Sequence, residues 1–198
     1  MLFGSELSGT TGRCTRSGLW FAGKGRSLGE GSMPEETRMS IPDVIAKALA
    51  EAQPPPSSEA ETCQWIILPL LEGLGYQRRE IQPQARDGNG QYPDYAILPD
   101  TEHKWYLEAK AWAVNLTDNH IRQCLVYAFT NVCRWVVLTN GRQWRLYDNN
   151  IQGKLEGKLA AEVSLADVDA AEPFFAAISR ESMISGGVKE YASGGCAS

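Results

Sequence analysis

The 198-residue chain is short of the residues that make disulfide frameworks and zinc sites. Its five cysteines (Cys14, Cys63, Cys124, Cys133 and Cys196) are scattered with no C-x-x-C pair, and only His103 and His120 stand beside them. That spacing argues against either kind of cross-link. The apolar settings of the central cysteines mark them as small buried side chains. Long apolar runs are also missing. None approaches the roughly 18 residues that cross a bilayer, and the first thirty residues lack the apolar block of a secretion signal, so the expectation is a cytoplasmic protein with no membrane association. There is no G-x-x-x-x-G-K-[ST] phosphate loop, which removes ATP-driven motor chemistry, and no internal repeat. Positive charge is not in excess either. A net charge of -5 argues against coating nucleic acid by bulk electrostatics, while leaving room for a local basic cleft.

What is present suits one ordinary domain with tails: 43% hydrophobic and 22% charged residues. Residues 1–40 are rich in Gly, Ser, Thr and Arg without a sustained period and read as a disordered extension, with Met33 and Met39 as alternative starts. Residues 41–56 read as a short helix, "IPDVIAKALAEA", with Val44, Ile45, Ala48 and Leu49 on one side, followed by a proline-rich linker to the main domain. Residues 57–150 hold the clearest pattern, and residues 151–198 read as a strand and helix extension with a flexible end.

Within 57–150, "SSEAETCQWIILPLLEGLGY" predicts a serine-capped helix with Trp65, Ile66, Leu70 and Leu74 at helical spacing, kinked at Pro69 and closed by Gly73 and Gly75. Strands are expected in "YQRREIQPQ", "DYAIL" and "KWYLEAKAW". A helix capped at Thr117 or Asp118 follows, its inward stripe formed by Ile121, Leu125, Ala128 and Phe129. Two further strands joined at Asn140-Gly141 complete the order α-β-β-β-α-β-β. That order predicts an α/β (α+β) fold, a mixed β-sheet flanked by helices.

Charge intrudes on this apolar frame in one place. Strand alternation puts Tyr106, Glu108 and Lys110 on one face of "KWYLEAKAW", and an antiparallel hairpin brings Asp94, at the start of the preceding strand, beside them. Two converging carboxylates suit a hard cation such as Mg²⁺ (or Mn²⁺), which prefers oxygen ligands and retains waters. A lysine beside them can orient a water or offset charge on a phosphate, so the three residue types are those that phosphodiester hydrolysis requires. A solvated strand face is the competing reading of the triplet taken alone.

"YPDYAIL" followed by "WYLEAK" resembles the PD-(D/E)XK nuclease signature, Pro93-Asp94 as its first half and Glu108-Ala109-Lys110 as its second. With the flanking "SEAETCQWIILPLLEGLGY" and "RQCLVYAFTNVCRWVVLTNGRQWRLYD", about residues 58 to 148 are similar to the N-terminal nuclease domain of type I restriction enzyme R subunits. The resemblance implies a restriction-endonuclease-like fold and a Mg²⁺-dependent DNA endonuclease. It implies that Asp94, Glu108 and Ala109 hold the metal, that Lys110 assists hydrolysis, and that Glu59 rather than Glu61 is an accessory acid. Gln123 and Tyr127, four apart on one helix face, match its Gln-x-x-x-Tyr and would contact the metal-site shell or the DNA backbone. Helicase or specificity subunits on other chains would be partners in a restriction-modification setting. A non-catalytic nucleic-acid-binding or assembly module is the alternative. Arg78, Arg79, Lys104, Arg122, Arg142 and Arg145 are candidate phosphate contacts, Arg142 and Arg145 on opposite strand faces; Trp112 and Trp144 are candidate base-stacking residues, with core packing the commoner fate of such rings.

Overall fold

The computed structural model describes residues 39–84 and 92–194, so the expected disordered extension lies outside the described residues apart from its last two positions. The chain is a mixed α/β fold built on a six-stranded sheet whose spatial order follows the sequence: β1 (Ile81–Pro83), β2 (Tyr95–Ile97), β3 (Trp105–Ala109), β4 (Trp135–Thr139), β5 (Gln143–Asp148) and β6 (Leu159–Ser164). All neighbours are antiparallel except β3 and β4, which run parallel. A parallel pair needs a crossover, and α4 (Asp118–Thr130) supplies it.

Alternation along β3 and β4 sorts side chains into two cores. Trp105, Leu107, Ala109, Trp135 and Val137 face the larger one, which also takes Trp144, Phe174 and Phe175. Tyr106, Val136 and Leu138 face the smaller one beneath α4, where Ile121, Cys124, Leu125 and Ala128 meet them. Phe129 does not join this stripe. It is 68% exposed, and Cys124 takes the inward place, because the buried side of α4 runs 121, 124, 125, 128.

The larger core is covered by α1 (Ile41–Glu51), by α2 (Glu59–Glu61), a π-helical turn (Thr62–Ile67) and α3 (Leu68–Gly73) in succession, and by α5 (Val168–Ala177), α6 (Arg180–Ser185) and α7 (Gly187–Gly194). The expected kink at Pro69 is thus replaced by a widened turn just before it. Pro69 follows that turn within a continuous helical run, and the widened register accommodates the amide that proline cannot donate. Trp65, expected on the inward side, is 39% exposed, since the wider turn shifts the face that Ile66 and Ile67 bury.

Two expected boundaries are corrected. Val44, Ile45 and Ala48 of α1 share the larger core with Leu70, Leu71 and Phe174, so this helix belongs to the domain, not to a linker-tethered appendage. Residues after 150 also belong to it. β6 pairs with β5, Tyr76 donates its hydroxyl to the Ile178 carbonyl at 2.9 Å, and Arg180 grips Glu80 through Nε and Nη2 at 2.9–3.1 Å while donating to the Pro99 carbonyl. The Arg180 guanidinium holds the Glu80 carboxyl below its ordinary pKa, outweighing the effect of burial.

The β4–β5 connection also departs in detail. Only Gly141 has positive φ (84°); Asn140 instead accepts from the Arg142 and Gln143 amides through Oδ1, which closes the loop without a second left-handed residue.

Candidate active site

Asp94, Glu108 and Lys110 lie together at the C-terminal end of β3. Tyr95 pairs with Leu107, so Asp94 lies one step beyond, level with Glu108. Asp94 Oδ2 accepts from the Ala109 amide at 2.8 Å, which ties the first carboxylate to the strand carrying the second. Lys110 extends the strand, its own amide donating to the Thr139 carbonyl of β4 at 2.8 Å. Its Nζ donates to Glu108 Oε1 at 2.5 Å and to the Ala109 carbonyl oxygen at 2.8 Å. Both side chains are shielded, Lys110 18% and Glu108 14% exposed. A shielded ion pair with a second acceptor on the ammonium is much better held than a surface pair.

Glu59 arrives from the other side of the sheet as the first residue of α2, capped by Ser58, whose hydroxyl accepts from the Glu61 amide at 3.1 Å. Glu59, Cys63, Asp94 and Tyr95 line one cleft of about 280 Å³. Burial raises the Tyr95 hydroxyl pKa, and Cys63 and the charges of Asp94 and Glu59 push it further the same way. Glu61 does different work. Its carboxylate accepts from the Ser57 amide and hydroxyl at 2.7 Å each, bonds that hold its pKa down, so it caps the helix start. The π-helical turn is anchored to the strand exit, since Thr62 Oγ1 accepts from the Trp112 amide at 2.9 Å and donates to the Ser58 carbonyl. That bond fixes α2 relative to the segment leaving Lys110.

On the α4 side, Cys124 is buried beside Glu108 and Asp94, and burial first, then those two charges, raise its thiol pKa well above the ordinary value. His120 lies toward Lys110 and Arg145; burial and then those two cations lower its pKa. Gln123 and Tyr127 do share a face of α4, where they line a separate cleft of about 450 Å³ with Tyr92. Tyr127 packs edge-on against Tyr92 and Tyr106, at centroid distances of 5.0 and 5.2 Å, so it abuts the strands of the site.

The basic residues separate. Arg122 lines the cleft beside Gln123, and Arg145 projects from β5 on the side facing α4, bonded to Glu162 at 3.0 Å. Arg142 donates to Asn115 Oδ1 at 2.9 Å from the β4–β5 loop. Lys104 precedes β3 and therefore stands at the opposite end of that strand from the carboxylates, about 13 Å away at strand rise. Arg78 is spent on Glu72 at the exposed surface. Trp144 is fully buried, its indole N–H on the Gly141 carbonyl and its ring against Phe175, so it is core; Trp112 packs partly buried against the same core. Sequence reasoning missed Tyr92, Tyr95, Cys63 and His120. The signal for the two tyrosines was present, since both flank the Pro93-Asp94 pair.

Among the described residues no group of three or more His, Cys, Asp or Glu side chains is gathered as a metal cage. The donor set at β3 is of another kind, two carboxylates and a backbone carbonyl, all oxygen. Two of the three donors, Glu108 and the Ala109 carbonyl, already converge on one cation, the Lys110 ammonium. That arrangement fits a hard divalent ion that uses few protein ligands and keeps its waters.

No protein-family model matches the chain, no curated protein matches it, and no solved structure matches it. None of the described helices is long and apolar enough to cross a membrane.

Proposed function

We propose that the protein is a metal-dependent endonuclease that hydrolyses DNA phosphodiester bonds, with a restriction-endonuclease-like arrangement of the PD-(D/E)XK type. One observation carries the reading: at one sheet end a shielded Lys110 is bonded to Glu108 and to the Ala109 carbonyl, while the half-buried Asp94 of the adjacent strand segment accepts from the Ala109 amide. A solvated strand face has no cause to shield two carboxylates and an ammonium together, because each loses hydration there.

In this reading Asp94, Glu108 and the Ala109 carbonyl hold Mg²⁺ or Mn²⁺, and Glu59 contributes from the facing helix. The bound ion supplies a more acidic water and stabilises charge on the phosphoryl oxygen. Lys110 exchanges its contact with Glu108 and Ala109 for the attacking water or the phosphate, where its charge opposes the negative charge that builds up during the displacement. The Ala109 amide keeps Asp94 oriented. Gln123 and Tyr127 face the DNA beside the site. Helicase or specificity subunits on other chains would supply sequence recognition.

Incubation of the protein with supercoiled plasmid tests the reading. Nicked and linear products that appear with Mg²⁺ or Mn²⁺ and vanish with chelator are expected. DNA binding without cleavage under either metal would favour the alternative, an assembly or nucleic-acid-binding module in which the Lys110–Glu108 pair is purely structural.

A further inference from the structure

The 450 Å³ cleft on α4 is not needed to hold the metal, yet its lining leads to the strands that carry the carboxylates. Tyr92 stands two residues before Asp94. Tyr127, across the cleft, touches the ring of Tyr106, which stands two residues before Glu108. Along β3, Tyr106 and Glu108 are roughly 7 Å apart, about the spacing of successive phosphates along an extended strand of DNA.

The lining is what an unpaired base requires. Tyr92, 36% exposed, offers a ring for stacking, and Val126, 67% exposed, offers an apolar wall. Gln123 contributes a carboxamide with both donor and acceptor. Asn131 spends its amino group on the Tyr127 carbonyl at 2.9 Å, which leaves its carbonyl oxygen as an acceptor. Arg122 closes the rim, and among the described residues no carboxylate pairs with it. A duplex cannot use this arrangement, because its bases present only their edges, and a ring lodged between Tyr92 and Val126 has to leave the stack.

We propose that this cleft binds an unpaired nucleobase next to the scissile phosphate, so that the substrate is single-stranded or locally unpaired DNA. The inference rests on the nuclease reading for its placement, and it names the substrate class of that same site. The aromatic cleft supplies stacking, which tolerates any base, while Arg122 supplies charge attraction for the adjoining phosphate.

Fluorescence anisotropy with the full chain in EDTA separates the two readings, because nothing can be cut. A labelled single-stranded oligonucleotide is expected to bind at least tenfold more tightly than the corresponding duplex. Tyr92→Ala is expected to weaken single-strand binding about 5- to 50-fold and to leave duplex binding unchanged, with Tyr92→Phe retaining it. Val126→Glu, at an exposed helix position that accepts glutamate, places a carboxylate in the cleft and is expected to have the same selective effect with the fold intact by circular dichroism. Equal affinity for single strand and duplex, or single-strand binding untouched by both substitutions, would overturn the proposal. Failure of cleavage alone, with selective binding retained, would count only against the nuclease reading.

Discussion

Lys110 is bonded to two of the three oxygens assigned to the metal, so the ammonium and a divalent ion compete for Glu108 and the Ala109 carbonyl. Lys110→Met is therefore expected to bind Mn²⁺ several-fold more tightly, read by electron paramagnetic resonance, while cleavage falls by about 100-fold or more. Loss of metal binding together with cleavage would mean that Lys110 holds the carboxylates in place and does not act on the phosphate. A second residue-scale feature lies outside the site. Val132 has φ 52° and is 90% exposed just beyond α4, a left-handed position that a β-branched residue adopts at a cost. Val132→Gly is expected to raise stability by about 0.5–1 kcal/mol in urea unfolding, despite glycine's greater freedom in the unfolded chain. These two residues differ in legibility. Asp94, Glu108 and Lys110 were visible in the sequence because alternation is a local rule; the strain at Val132 was not, because a residue's φ depends on how the helix must end.

At the scale of elements, periodicity found α4 and misplaced one edge of it. Ile121, Leu125 and Ala128 are buried as expected, but Phe129 is turned to solvent, and the small Cys124 faces the core in its stead. An apolar side chain says little about its own exposure when its helix has a neighbour on one side only. Phe129→Lys is accordingly expected to change unfolding free energy by less than about 0.5 kcal/mol, whereas Ile121→Ala is expected to cost about 2–4 kcal/mol. The helix carrying Glu59 shows a similar limit. Its start was legible from the serines that open it, but the π-helical turn was not, because Thr62 is held there by the Trp112 amide, fifty residues on. Strand lengths were likewise overestimated in "YQRREIQPQ": Arg78–Glu80 form a 3-10 turn, which leaves Ile81–Pro83 to pair.

Over the whole molecule, what the sequence concealed is how distant segments close on one core. The Glu80–Arg180 clasp joins positions a hundred residues apart, and no local pattern announces it. Because Glu80 is only 9% exposed in its side chain, removal of the guanidinium leaves a buried carboxylate unpaired. Arg180→Ala is expected to cost about 2–4 kcal/mol by urea unfolding at pH 7. The pH dependence has a definite sign. The Glu80 carboxyl titrates lower in the folded state than the ordinary value of 4.5, so its contribution is complete above that value and is lost as pH falls through the folded pKa. Wild type should therefore lose more stability than Arg180→Ala when the pH is lowered from 5 to 3; equal losses would show that the clasp contributes nothing. The same closure places the C-terminal helices in the core that backs β3, so the site rests on the entire domain and not on the segment 57–150 in which its residues were read.

The most direct measurement is single-turnover cleavage of labelled DNA with Mg²⁺, comparing wild type with Asp94→Asn, Glu108→Gln and Lys110→Met, each shown to be folded by circular dichroism. Wild type is expected to cut, and each substitution to reduce the rate by about 100-fold or more, because each removes one member of the oxygen and ammonium set at the end of β3. Cleavage that continued at the wild-type rate in all three would contradict the assignment of catalysis to this site.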